Sequence, residues 1–158
     1  MKARILGAAV LLALSVMLLN GCVKKDYKPL DAEQFDRKIR AKGAVTEIYT
    51  GADAPVAAAR SAVTRIEFHN ADAGWEGTYY EFSSDDDARS FFNSLMDAAD
   101  PDMCFDPGGN YASFDFSGAN GICWRAKVVG NTFLGIGYQE DDAAAKDAVN
   151  KLLTSLGY

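Results

Sequence analysis

The chain of 158 residues holds one histidine, His69. Any imidazole-based acid–base or nucleophilic chemistry must therefore run through it. His69 sits near the end of an alternating stretch, Val63 to Asn70. There Arg65, Glu67 and His69 share one side, and Ile66 and Phe68 the other. A histidine two positions from a glutamate on one strand face can exchange a proton with it, but the same spacing also describes solvated neighbours. Ser113 and Asp115 alternate in the same way farther along, yet nothing in the chain fixes their distance from His69. No G-x-S-x-G, H-E-x-x-H, C-x-x-C or P-loop pattern occurs. The expectation is no catalytic set, no cofactor and no metal centre.

Two acidic runs, Asp85-Asp86-Asp87 and Glu140-Asp141-Asp142, precede apolar combs. Carboxylates at a helix start meet unpaired N–H groups and the positive end of the dipole, which accounts for both runs. Calcium is the sharper alternative, but neither run has the D-x-D-x-D-G spacing of a calcium loop.

Around these residues the chain reads as alternating elements. Asp31 caps a helix running to about Lys42, with Phe35 and Ile39 on its apolar stripe and Gly43 ending it. Val45 to Tyr49 reads as a short strand, and residues 51 to 62 as a loop. Val63–Asn70 and Trp75–Phe82 form a hairpin across the turn NADAG. In its second strand Thr78, Tyr80 and Phe82 are expected on the core side, with Tyr79 and Glu81 outward. Ser84 opens a second helix whose comb is Ala88, Phe91, Phe92, Leu95, Met96 and Ala99. Residues 100 to 110 read as a loop. Strands follow at Tyr111–Phe116, Ile122–Val129 and Thr132–Tyr138. A last helix carries Ala145, Ala148, Val149, Leu152, Leu153 and Leu156, which repeat the earlier comb at a constant offset. Hairpin-plus-helix thus reads as an internal repeat present twice.

One apolar face per strand and one apolar stripe per helix give an α+β two-layer sandwich. It has an antiparallel sheet of about five or six strands, with helices on one face. The other face is then free to bind. It would carry Arg65, Glu67, His69, Tyr79, Glu81, Tyr111, Ser113, Asp115, Arg125 and Lys127, if all strands turn the same way. Trp124 reads as core, and Trp75 equally as core or as a ligand stacker.

The formal net charge is −6, which argues against a nucleic-acid partner. Lys2 and Arg4 begin the chain, followed from Ile5 to Leu19 by about 15 mostly apolar residues, short of the roughly 20 of a membrane span. Leu19-Asn20-Gly21-Cys22 then follows the pattern Leu-x-Gly-Cys. This segment resembles the lipobox signal peptide of bacterial lipoproteins. The resemblance implies cleavage of residues 1–21, lipidation of Cys22, a tether over 22–30 and a single domain over 31–158. It also implies a membrane partner through the lipid anchor, on the extracytoplasmic side of the cell membrane or outer membrane. Val23 after the cysteine lacks the aspartate that resembles an inner-membrane retention signal.

An exported domain sits in an oxidising compartment, so Cys104 and Cys123 are expected to form a disulfide. Closing that loop would contribute about 3 kcal/mol. The expected function is a non-enzymatic binding or interaction module for an envelope protein or a small polar ligand. An envelope enzyme using His69 with neighbouring carboxylates, and a structural component of an envelope complex, stand as alternatives.

Overall fold

The structure, a computed structural model, describes residues 27–158. The residues read as a signal peptide, Cys22, Val23 and most of the stretch read as a tether lie outside the described residues.

The fold is α+β: one open antiparallel sheet with three α-helices among the described residues. The strands are β1 (Val45–Thr50), β2 (Ala62–Asn70), β3 (Trp75–Phe82), β4 (Met103–Phe105), β5 (Tyr111–Ser117), β6 (Ile122–Val129) and β7 (Thr132–Gln139). The helices are α1 (Ala32–Arg40), α2 (Asp85–Ala99) and α3 (Ala143–Leu156). The sheet has seven strands in the order β1-β2-β3-β7-β6-β5-β4. The strand beyond the expected five or six is β4, a three-residue edge inside the stretch read as a loop. No helix among the described residues is long and apolar enough to cross a membrane.

The helix starts follow their sequence cues. The Asp31 carboxylate accepts the Gln34 N–H at 2.7 Å, the Ser84 hydroxyl accepts the Asp87 N–H at 3.1 Å, and the Asp142 carboxylate accepts the Ala144 and Ala145 N–H groups at 2.9 Å.

The helices do not share one face, which corrects the expected arrangement. On the front of the sheet, α1 and α3 bury Phe35, Ile39, Val149 and Leu152 against Ile66, Phe68, Tyr79, Leu134 and Ile136. On the back, α2 buries Ala88, Phe91 and Phe92 against Phe82, Ala112, Phe114, Ala126, Val128 and Phe133. The reason lies in the central strand. Residues Thr132 to Tyr138 of β7 are buried throughout, so both of its faces need a cover. Each fully buried large side chain there contributes roughly 1.5–3 kcal/mol.

Thr78 of β3 pairs with Gly135 of β7, at the same chain offset that relates the combs of α2 and α3. A rotation about that point would carry β3 onto β7 while keeping every residue on its own face. It would therefore place α2 and α3 on one face, and they lie on opposite ones. The hairpin-plus-helix order occurs twice in the chain, but the two copies are not equivalent in space.

The segment read as the end of the tether is built into the domain. Leu30 is buried, and its carbonyl accepts the Tyr79 hydroxyl at 2.6 Å. Tyr27 stacks on Tyr111 at 4.3 Å and exchanges two hydrogen bonds with the Asn110 side chain, of 3.3 and 2.6 Å.

Candidate functional site

Strand register divides the expected binding face in two. Arg65, Glu67 and His69 pair with Tyr80, Thr78 and Glu76, which places them on the back of the sheet beside α2. Ser113, Asp115, Arg125 and Lys127 pair with one another, and Arg125 and Lys127 with Ile136 and Leu134, which places them on the front. Tyr111, Glu81 and Tyr79 also belong to the front. The sheet itself therefore separates His69 from Ser113 and Asp115, and no triad of the three can assemble.

Tyr79 is a core residue, not a surface one, which corrects its place on the open face. It pairs with Ile66, stacks on Phe35 at 4.3 Å and is fully buried. Burial pushes its hydroxyl pKa far above the ordinary tyrosine value.

The exposed half of the front is a closed network. Arg125 pairs with Asp115 at 3.3 Å and donates to the Asn150 side chain of α3. Lys127 donates to the Tyr111 hydroxyl at 3.1 Å, and Tyr27 covers the Tyr111 ring. These groups hold β5, β6, α3 and the N-terminal strap together.

The expected disulfide is also corrected. Cys104 and Cys123 are both free thiols. Cys104 pairs with Phe114 on the back, where its thiol donates to the Met96 sulfur of α2 at 3.4 Å. Cys123 pairs with Tyr138 on the front. The β5 strand and the thickness of the sheet lie between them, beyond the span of an S–S link. Beside Cys123 the Tyr138 hydroxyl is pushed up to about 12, first by burial and then by its hydrogen bond with the thiol.

The back offers an open concavity. α2 covers β6, β7 and, through Phe91 on Tyr80 and Phe82, the end of β3, while β1 and β2 carry no helix on this side. Beside α2 lies a cavity of about 440 Å³, walled by Tyr80, Phe91, Leu95, Ala99, Phe116 and Trp124. Next to it runs a trough of about 300 Å³, lined by Glu47, Glu67, His69 and Glu76. Thr78 and Trp124 line both, so the two form one groove.

Glycines shape its floor. Gly135 and Gly137 present no side chain on the back, and Trp124 lies over Gly137 so closely that a Cβ there would stand 3.0 Å from the indole. Trp124, read as core, is half-buried and central to the groove.

The electrostatics of the trough are net acidic. Glu47 lies directly opposite Glu67, and Glu76 opposite His69. Arg65 is engaged already: its guanidinium pairs with Glu67 at 3.3 Å and lies over the Tyr49 ring at 4.0 Å. The Tyr49 hydroxyl donates to Glu47 at 2.7 Å, which raises its pKa above the ordinary value. No group of metal-ligating side chains forms among the described residues. The sequence reading assigns Thr78, Tyr80 and Trp124 to the core and does not single out Glu47 or Glu76. The one usable cue was the alternation Val45, Glu47, Tyr49 in a strand that flanks β2.

No protein-family model and no curated protein matches the chain. Among solved structures, the crystal structure of the extracellular domain of PknH from Mycobacterium tuberculosis aligns with 80% of this chain and 91% of that chain, at 10% identity and a TM-score of 0.37. At that likeness the groove itself carries the functional argument.

Proposed function

We propose that the chain is a lipid-anchored extracytoplasmic binding module whose working surface is the groove on the back of the sheet. One observation carries the binding reading. An apolar cavity of about 440 Å³ opens directly onto a polar trough, on a face that α2 leaves half uncovered. Ligand pockets combine an apolar body with a few convergent polar groups in this way. Strands β2, β3, β7 and β6 fix the floor through continuous pairing, so the site is largely pre-formed.

The address rests on Leu19-Asn20-Gly21-Cys22. Two acyl chains on one cysteine anchor a protein stably, whereas one does so only marginally. With the strap docked from Tyr27 onward, only residues 23 to 26 lie between Cys22 and the folded domain. At about 3.5 Å per residue, the domain stays close to the bilayer.

Mass spectrometry of the protein from its native host tests the anchor. The expected species begins at an acylated Cys22, and an intact N-terminal methionine with a free sulfur would overturn the address. Chemical-shift mapping with envelope extracts tests the binding surface. Perturbations are expected at Thr78, Tyr80 and Trp124; shifts confined to the Arg125–Asp115 network would overturn the choice of face.

A further inference from the structure

We propose that the groove takes a small organic ammonium compound, its apolar body in the cavity beside α2 and its cationic head among Glu47, Glu67 and Glu76. This rests on the groove being the working surface. Three features of the molecule converge on that ligand class.

The first is charge. The carboxylates of Glu47 and Glu67 face each other across β1 and β2; Arg65 neutralises one of the two charges and the Tyr49 hydroxyl donates to Glu47, which leaves the pair with net negative charge. Glu76 adds a third carboxylate. Against these stand Arg65, held by Glu67 and Tyr49, and His69 at the rim. The trough is net negative, so it repels anionic headgroups and attracts cations.

The second feature is the aromatic wall. Tyr80, Phe91, Phe116 and Trp124 line the cavity, and Trp124 also reaches the trough. Ring faces attract ammonium groups, and Trp does so best. The third is size. About 440 Å³ lies toward the small end of ligand pockets. An arylalkyl body fits; a polymer does not.

The test uses the full chain in phosphatidylcholine vesicles and three matched probes: phenylbutylammonium, phenylbutanol and phenylbutyrate. Binding is read from tryptophan fluorescence, with Trp124→Phe identifying the responding residue. The ammonium probe is expected to bind about tenfold tighter than the alcohol, and the carboxylate more weakly than either. Glu47→Gln with Glu67→Gln should bring the ammonium probe down to the level of the alcohol. Glu76→Gln, at an exposed position, should weaken the ammonium probe in the same direction. Ala99→Phe, which fills the cavity without adding an indole, should weaken all three.

Equal binding of the three probes, or a preference for the carboxylate, would overturn the ammonium assignment and leave the groove as a binding surface. No binding of any probe, to the parent or to Ala99→Phe, would overturn both.

Discussion

The Tyr79 hydroxyl donates a 2.6 Å hydrogen bond to the Leu30 carbonyl, 49 residues away in the chain and inside the front core. This bond fastens the N-terminal strap to the centre of the sheet. Removing it leaves a buried carbonyl without its donor, at a cost of about 1–3 kcal/mol. Tyr79→Phe should lower the unfolding free energy from chemical denaturation by that amount and open residues 27–30 to protease. A variant as stable as the parent would show that this bond contributes nothing to holding the strap.

Oxidation offers a second check. Since Cys104 and Cys123 lie on opposite faces, the protein purified from an oxidising compartment should carry both as thiols. Cys104, exposed at the β4 edge, should alkylate faster than Cys123. Peptide mapping without reduction reads this directly. A Cys104–Cys123 crosslinked peptide would contradict the register of β4, β5 and β6.

Glycine positions separate fold from function. A Cβ at Gly77 would stand 2.2 Å from the Gly135 carbonyl oxygen and 2.6 Å from the Phe68 ring. Backbone cannot yield there, so Gly77→Ala should cost about 3 kcal/mol or more in chemical denaturation. Gly137→Ala instead meets the Trp124 ring first, at 3.0 Å. It should shift Trp124 fluorescence and weaken groove ligands while the protein stays folded. Equal stability for Gly77→Ala and the parent would refute the close crossing of β3 and β7.

The start of α2 should respond to acid. Hydrogen bonds from Ser84 and then Ser83 hold the Asp87 carboxyl below its ordinary pKa. A lowered folded-state pKa contributes stability that is present above the unfolded value and lost as pH falls through the folded one. The parent should therefore lose more thermal stability than Asp87→Asn on acidification below the usual carboxylate range. Parallel curves for the two proteins would remove Asp87 from the cap.

The back layer depends on an aromatic contact. Phe92 of α2 is fully buried, edge-on to Phe114 at 5.0 Å. Phe92→Ala should cost about 3–5 kcal/mol. It should also abolish groove binding, because α2 forms one wall of the cavity. Retained binding in a folded Phe92→Ala protein would show that the site lies elsewhere.

Most of the elements could be read from the chain. The comb from Ala88 to Ala99 and the caps Asp31, Ser84 and Asp142 each reflect interactions within a few residues, which a linear pattern records. The alternation Ile66, Phe68 and the alternation Phe114, Phe116 were equally plain. What misled was treating the two apolar sides as one side. That step put Tyr79 among the binding residues and left Trp124 in the core.

Local periodicity says that a strand has an apolar side, and nothing in it says whether neighbouring strands turn that side the same way. Helix boundaries, strand boundaries, acidity and the Leu-Asn-Gly-Cys stretch belong to the sequence, because each depends on neighbours along the chain. The split of the helices between two faces, the separation of His69 from Ser113, the distance between the two thiols and the groove itself belong to tertiary structure. They follow from the register of β3 against β7, where residues far apart in the chain choose a common face by burying the most apolar area together.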